Sequence, residues 1–386
     1  PPADHLALCT DNLSTPEIKL PGENFNTKLF TGDDTTGNAQ TGIGFQPDWS
    51  WFKQRNATRS HALFDSVRGR ASGIASQDMA AATTSAATKD LASFDSDGFT
   101  VGVVENWSST NIDGGSIVAW NWKAGGAPTA DNSAGAGATP TAGSVKIDGS
   151  NLGSALAGSI AATRLSANTT SGFSIVKYVG TGANATLAHG LSVAPELVIV
   201  KNLDDGTTRW AVGTTAGTVD FTDYLELDTS AAAVDAASVW NDTDPTSSVF
   251  SVGSDNWTNK STSNLIAYCF HSVEGYSKVG TYTGNTNTDG TFAYLGFKPG
   301  FLLLKEYDNA DDWGMYDDKR KGYNDDDGGN QLIYANYSQA EEGGTTRAID
   351  LLSNGFKLRT SNATFNGSKY IYLAFAESPF KYSNAR

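Results

Sequence analysis

A short pattern of hydrophobic and polar positions occurs three times along this chain. Each copy has a glycine and a hydrophobic residue, then a proline, a mostly apolar stretch, and a lysine six positions after the proline. The copies span residues 44–53, 190–201 and 296–305. Each apolar stretch has the length of a strand and is too short for a typical helix. The pattern therefore predicts a strand with proline at its start, where the missing N–H costs no ladder hydrogen bond.

Two further landmarks follow each copy in the same order. The first is a turn followed by alternating residues, at 94–102, 247–253 and 352–358. The second is an apolar stretch containing aromatic residues, at 117–122, 265–270 and 370–375. Self-similarity of this kind indicates a tandem array of three homologous modules of roughly 105 residues each.

The fold class expected from this pattern is all-β. The chain has 41 glycines, only two methionines and many Thr, Ser, Asn and Asp residues. Clusters of turn residues separate about seven or eight short strands in each module, which is typical of a β-sandwich or jelly-roll-like module. A β-propeller is the main alternative, and we disfavour it because a long linker inside the array would interrupt a closed ring of blades.

Composition divides the chain into five segments. We expect an extended N-terminal arm over residues 1–27, β modules over 28–124, 172–278 and 279–386, and a linker over 125–171 that is rich in Gly, Ala, Ser and Thr. The first half of this linker should be flexible, because its composition offers little apolar area to bury. Weak alternation near its end allows a short hairpin. The second and third modules should be rigidly joined and the first more loosely attached.

The charge and the hydropathy exclude several kinds of partner. The formal net charge is −15 and the isoelectric point is near 4.6, so nucleic acid is not expected to bind, because phosphate binding requires a basic face. No stretch of 18 apolar residues is present, so membrane insertion is not expected either. The chain opens with Pro1 and lacks a signal-peptide pattern, which suggests a processed or partial chain.

Motifs for catalysis, cofactors or metals are not apparent. The four histidines do not recur at matching module positions and none has a metal-ligand spacing, so neither a metal site nor a cofactor is predicted. Nucleophile elbows, P-loops and dinucleotide fingerprints are missing from the sequence. The protein is therefore expected not to be an enzyme. Glycosidase carboxylates have no local signature, however, so an enzyme acting on polysaccharide stays open as an alternative.

The repeated lysines and the tryptophans have a structural interpretation. Lys53, Lys201 and Lys305 each close an apolar strand, and we expect them to cover the core edge with their stems while the charge stays in water. Aromatic residues at alternating strand positions are typical of core or intermodule packing. The spacing Asp65-x-x-Arg68 recurs at Asp317-x-x-Arg320, and a salt bridge across a turn would explain it.

Loops of the third module are the predicted contact surface for a partner. The loops 308–320 and 323–331 combine aromatic and charged residues. The residues assigned to this contact are Trp313, Tyr316, Asp317 and Arg320. The competing interpretation is that these aromatic side chains pack against the second module.

An acidic cluster in the same region offers the oxygen ligands that Ca²⁺ prefers. Its members are Asp311, Asp312, Asp317, Asp318, Asp325, Asp326 and Asp327. The spacing does not match an EF-hand, and a solvated acidic loop explains the cluster equally well. No metal site is assigned on this evidence.

Several stretches of the sequence resemble a family of repeat proteins encoded by tailed bacteriophages of marine and freshwater bacteria. The stretches that carry the resemblance are 173–182, 266–270, 273–278, 352–358 and 376–381. Members of that family are virion components of the tail-fibre or head-decoration type, and their repeat has no assigned activity. The resemblance implies a location in the virion and supplies no catalytic residue.

The function predicted from the sequence is that of a non-enzymatic phage virion structural protein. As a tail fibre or capsid appendage, it would contact neighbouring virion proteins and a glycan or protein on the host surface. Self-association is expected as well, with a trimer favoured by analogy to other fibres. The alternatives are a carbohydrate-binding or polysaccharide-depolymerising protein, or a self-assembling surface filament.

Overall fold

A computed structural model describes residues 12–320 and 331–383 of the chain. The protein is nearly all β, with 39% of residues in strands and 7% in helices, which confirms the predicted fold class. In the described ranges, every helix is too short or too polar to cross a membrane.

The strands are short and follow one another closely. The first third of the chain contains β1 (Phe25–Thr31), β2 (Asn38–Thr41), β3 (Trp49–Gln54), β4 (Ala62–Asp65), β5 (Ser72–Gly73), β6 (Thr83–Thr84), β7 (Leu91–Asp95), β8 (Gly98–Val101) and β9 (Ser116–Trp122). The middle contains β10 (Val145–Ile147), β11 (Ser150–Asn151), β12 (Arg164–Asn168), β13 (Phe173–Val179), β14 (Ala185–Ala188), β15 (Leu197–Asn202), β16 (Ala211–Thr214), β17 (Asp223–Glu226), β18 (Val234–Asp235), β19 (Val249–Val252) and β20 (Asn264–Phe270). The last third contains β21 (Ser277–Thr283), β22 (Phe292–Tyr294), β23 (Phe297–Glu306), β24 (Gly314–Asp317), β25 (Ile333–Tyr334), β26 (Ile349–Leu352), β27 (Gly355–Leu358) and β28 (Lys369–Pro379).

The helical segments are single turns between strands. The α-helices are α1 (Ser108–Asn111), α2 (Ala237–Trp240), α3 (Asn256–Asn259) and α4 (Ala363–Asn366). The 3₁₀ turns are Pro21–Glu23, Thr345–Arg347 and Phe380–Tyr382. The Ala-rich stretch from Asp78 to Leu91, whose sequence allows one short helix, is not helical and contains the short strand β6 and the first residue of β7.

Three large sheets organise the described residues. The first has the strand order β1-β9-β3-β4, the second β11-β10-β12-β13-β20-β15-β16-β17-β18, and the third β21-β28-β23-β24-β25. Each of the three contains the same antiparallel arrangement, namely β1-β9-β3-β4, β13-β20-β15-β16 and β21-β28-β23-β24. In each, the last long strand of the segment pairs with both the first strand and the proline-to-lysine strand.

The repeated landmark residues fall at matching places in these sheets. All three proline-to-lysine segments end on a strand in the sheet interior, namely β3, β15 and β23. The glycines that open them, Gly44, Gly190 and Gly296, have φ values of 92°, 73° and 83°. This left-handed conformation favours glycine, which explains why the glycine recurs.

A smaller sheet covers the outer face of each large sheet. The small sheets are β2-β8-β7, β14-β19 and β22-β27-β26. Each encloses its own apolar core against the large sheet, with Phe52 and Phe99 in the first, Val198 and Phe250 in the second, and Leu302 and Phe356 in the third. The packing is sandwich-like, because apolar residues alternate between the two faces of each strand.

The inner faces of the three large sheets meet in one central core. Residues of β3, β9, β15, β20, β23 and β28 alternate into it, among them Trp49, Trp122, Ile199, Phe270 and Phe301. The Trp49 and Tyr268 rings stack with centroids 4.5 Å apart across the first and second sheets. The long strands of the large sheets are therefore buried on both faces.

The segment 125–171 is more ordered than a flexible linker. Its strand β12 pairs antiparallel with β13, and β10 and β11 form a hairpin that extends the second large sheet. Its first half lacks strands but is held by backbone hydrogen bonds, such as Thr129 N–H to the Gly143 carbonyl at 2.8 Å. Its second half also buries apolar side chains such as Val145 and Leu165 in the core of the second large sheet, which the composition of the whole segment did not indicate.

The described part of the N-terminal arm lies on the end of the third large sheet. Ile18 is buried, and the Lys381 ammonium donates a hydrogen bond to the Leu13 carbonyl at 2.8 Å. Residues 1–11 lie outside the described residues.

The strand β23 yields the first prediction. Phe301 and Leu303 lie in the central core, whereas Leu302 and Leu304 lie in the outer core, as four successive apolar residues suggested. The variant Leu303→Ala should lower the free energy of unfolding by about 2 to 5 kcal/mol, because it leaves a cavity. Chemical denaturation measures this loss. A loss below about 0.5 kcal/mol would mean that Leu303 is not in a packed core.

Candidate functional site

The residues assigned to an exposed partner contact are buried. Trp313, Tyr316, Asp317 and Arg320 have exposed fractions of 2%, 0%, 5% and 2%. The prediction that they form a surface platform is therefore wrong as to exposure. The competing interpretation, packing against the second module's residues, is correct for Trp313, whose Nε1 donates to the Glu226 carbonyl at 2.8 Å.

Asp317 and Arg320 instead join the third large sheet to the first. The carboxylate of Asp317 accepts hydrogen bonds from Arg320 Nε at 2.6 Å and from Trp120 Nε1 at 2.9 Å. The Arg320 guanidinium lies over the Trp120 ring, 5.5 Å from its centroid. A buried ion pair with these added donors is well satisfied, so it holds the two sheets in one arrangement.

The same unit occurs where the second large sheet meets the first. Asp65 pairs with Arg68 across a turn and accepts a hydrogen bond from Tyr268 Oη at 2.8 Å. The predicted salt bridge across each turn is thus confirmed. Register places Thr214 and Leu373 at the equivalent positions of the remaining junction, so that junction has no such carboxylate.

A second set of bonds crosses all three junctions. One residue stands directly before each of the strands β4, β16 and β24. Its side chain makes a hydrogen bond to a backbone carbonyl of a neighbouring segment. The three contacts are His61 Nε2 to Tyr334 O (3.0 Å), Trp210 Nε1 to Ala75 O (3.0 Å) and Trp313 Nε1 to Glu226 O (2.8 Å). They run from the first segment to the third, from the second to the first, and from the third to the second.

His61 acts in this set as a neutral donor. Burial lowers the pKa of His61 to about 3, so the ring is uncharged near neutral pH. Its Nδ1 accepts a hydrogen bond from Trp51 Nε1 at 2.7 Å, which leaves the proton on Nε2 to be donated to Tyr334. The histidine thus takes the place of the indole N–H used at the other two junctions.

The three repeated lysines also cross the junctions, and they are buried. Lys53, Lys201 and Lys305 each have an exposed fraction of 0%, so the expectation that their charges stay in water is wrong. The ammonium groups donate to carbonyls of a neighbouring segment, namely Ser338 (3.2 Å), Met79 (2.8 Å) and Ser230 (3.2 Å). Burial lowers the pKa of each of these lysines to about 8.

The acidic cluster of the third segment is largely engaged in side-chain pairing. Asp317 binds Arg320, Asp318 binds Lys319, and Asp312 accepts from Asn336 Nδ2 at 2.8 Å. Asp325, Asp326 and Asp327 lie outside the described residues, as does the loop 323–331 apart from Gln331. Within the described ranges, no group of three or more potential metal ligands comes together.

A surface cleft lies on the end of the third large sheet. It has a volume of about 420 Å³ and lies between the N-terminal arm and the strands β21 and β22. Ser14 Oγ donates to Glu274 Oε1 at 2.7 Å on one wall. On the other wall, Lys278 Nζ donates to the Tyr294 carbonyl at 2.8 Å and lies 5.6 Å from the centroid of that ring.

Two aromatic side chains beside this cleft are exposed. Phe292 and Tyr294 have exposed fractions of 41% and 56% and alternate on the edge strand β22. Charged and aromatic groups together suit the binding of a polar ligand with an apolar face. Sequence reasoning missed these residues. The alignment of the three repeats contained the signal, since the other copies have small residues there.

The described fold is that of an all-β protein with three large sheets on one core. The chain matches the family model described as "Domain of unknown function (DUF7483)" twice, over residues 20–147 and 146–379, and it belongs to this family. None of the curated proteins and none of the solved structures matches the chain.

The buried lysines predict an unusual dependence of stability on pH. Their pKa is about 8 in the folded protein and 10.5 as the ordinary value, so the unfolded chain binds more protons between these limits. The free energy of unfolding should therefore rise from pH 8 to about pH 9.5. Buried tyrosines such as Tyr276, whose pKa burial raises above the ordinary value of 10.0, act in the opposite direction at higher pH.

Urea denaturation at several pH values measures this rise. In the variant Lys201→Met, the free energy of unfolding should rise less with pH than in the wild type. The variant Lys19→Met, which removes an exposed lysine, should show the same rise as the wild type. An equal rise in the two variants would contradict the assignment to buried lysines.

The Asp317–Arg320 pair gives a separate prediction. Asp317→Ala leaves the Arg320 guanidinium buried without its carboxylate and should cost about 3 to 5 kcal/mol in the free energy of unfolding. The double variant Asp317→Leu with Arg320→Met should cost less, because neither charge remains. Asp131→Ala, which breaks the exposed pair with Arg164, should cost under about 1 kcal/mol. An equal cost for the single and double variants would argue against a buried pair.

Proposed function

We propose that the chain is a tandem array of three homologous modules closed into a ring. The shared strand order of the three large sheets supports this arrangement. The junction bonds of His61, Trp210 and Trp313 support it further, because each links one segment to a neighbour and the three links complete a cycle. The lysine bonds follow the same cycle.

We further propose that this ring is a non-enzymatic structural protein of a phage virion, of the tail-fibre or head-decoration type. The proposal rests on where the recurring polar residues lie. The lysines, the Asp-x-x-Arg units and the indole N–H groups all lie in buried joints between segments. Polar groups that recur between segments thus serve rigidity, as a structural particle component requires. The virion assignment itself rests on the sequence resemblance.

The outer surface would supply the contacts with other molecules. Loops and small-sheet edges can vary without disturbing the central core, because a rigid scaffold holds them. Exposed apolar side chains on this surface include Leu20, Tyr294 and Tyr382, which line clefts at the end of the third large sheet, and Phe292, two residues before Tyr294 on β22. That end is the region we assign to contact with the host surface or a neighbouring virion protein.

Localisation on purified particles tests the virion assignment. Antibodies against the recombinant chain should label particles at a fixed position in electron micrographs, and the protein should sediment with particles in a density gradient. An abundant protein of the infected cell that is not part of the particle serves as the control. Recovery of the chain only in the soluble fraction of the lysate would overturn the assignment.

A further inference from the structure

We propose that Phe292 and Tyr294 form a stacking platform for the pyranose rings of a polysaccharide. This inference rests on the proposed role in surface contact and names its ligand class. The two side chains have exposed fractions of 41% and 56% and lie on the same side of β22. Residues two apart on a strand stand about 7 Å apart, so one oligosaccharide can contact both rings.

The other two segments show that the fold does not require these rings. Ala293, Gln40 and Leu187 each pair with the phenylalanine of the neighbouring strand, which aligns β22 with β2 and β14. The residues equivalent to Phe292 and Tyr294 are therefore Ala39 and Thr41 in the first segment, and Thr186 and Ala188 in the second. Of these six positions, only the two in the third copy carry large aromatic side chains, and there the rings are 41% and 56% exposed.

The local backbone supports both rings. A Cβ atom at Gly296 would lie 3.6 Å from Tyr294 Oη, and one at Gly355 would lie 3.0 Å from the Phe292 ring. The rings therefore lie against glycine backbone. The Lys278 ammonium donates to the Tyr294 carbonyl and lies over one face of its ring, which further restricts the side chain and leaves the opposite face for stacking. A platform held in this way loses little conformational entropy on binding.

The surroundings of the platform are polar. Lys357, the cross-strand partner of Phe292, binds Asp289 at 2.9 Å, and Arg359 also reaches Asp289 at 3.5 Å. Lys278 and Glu274 line the cleft beside Tyr294. Sugar rings present an apolar C–H face and a rim of hydroxyl groups, so they match rings bordered by charged donors and acceptors.

Other classes of macromolecule fit this surface less well. A stable protein interface buries about 800 Å² on each partner around a core depleted of charge, and two rings among ion pairs do not provide such a core. Single-stranded nucleic acid also stacks on aromatic rings, but the net charge of −15 opposes the approach of phosphates. Polysaccharide is the class that the stacking and the polar rim favour together.

A glycan array tests the inference. The array carries oligosaccharides and bacterial surface polysaccharides, and the full chain is applied with and without substitution. The test variant combines Phe292→Thr and Tyr294→Ala, which are the residues of the second segment. The control combines Val193→Thr and Val234→Thr, which removes apolar side chains with exposed fractions of 50% and 44% elsewhere.

The wild type and the control variant should bind at least one polysaccharide on the array. The test variant should bind that polysaccharide at least about tenfold more weakly, with an unchanged melting temperature. Three results would overturn the inference: no binding by the wild type, equal binding by the test variant, or cell binding that protease treatment abolishes while the array stays blank. Particle labelling decides the virion role independently, so either proposal can fail alone.

Discussion

The central core between the three large sheets is the constraint on which the rest of the structure depends. Each large sheet buries its outer face under a small sheet. Its inner face is also apolar and therefore has to be covered as well. Aromatic side chains provide that cover, with the Phe25 and Phe375 rings 5.1 Å apart and the Trp122 and Phe301 rings 5.6 Å apart. Because each sheet supplies part of the cover for the other two, the packing of the segments is interdependent.

This closure brings polar groups into the interior, and the joints show how each one is satisfied. A buried charge without partners is costly, so each lysine donates to carbonyls and each buried Asp–Arg pair receives a further donor. Trp120 and Tyr268 meet a carboxylate, whereas Leu373 and Thr214 stand at the matching positions of the third junction. Equivalent positions in the three large sheets thus take part in an ionic contact at two junctions and carry less polar residues at the third.

The outer surface follows different rules from the joints. The strand β22 and its equivalents share backbone pairing but differ in their outward side chains, because solvent imposes little on a side chain there. The exposed Phe292 and Tyr294 rings therefore indicate a binding surface more directly than the residues that recur in all three segments. Recurrence identified the scaffold in this chain, and departure from recurrence identifies the surface proposed for binding.

The sequence by itself determined the local features. The all-β class, the strands after each proline, the salt bridges of Asp65 and Asp317, and the double burial of the strand at Leu303 all follow from spacing and alternation. Such features depend on near neighbours and on a period of two, which are visible in one dimension.

Only the tertiary structure decided which side chains face water. Trp313 and Tyr316 lie among charges in the sequence but are buried, and Lys53 is enclosed by Ser338, 285 positions away. The segment 125–171 gained its order from β13 and from backbone bonds that composition does not reveal. Burial depends on how distant segments close over one another, and the spacing of residues within a segment does not carry that information.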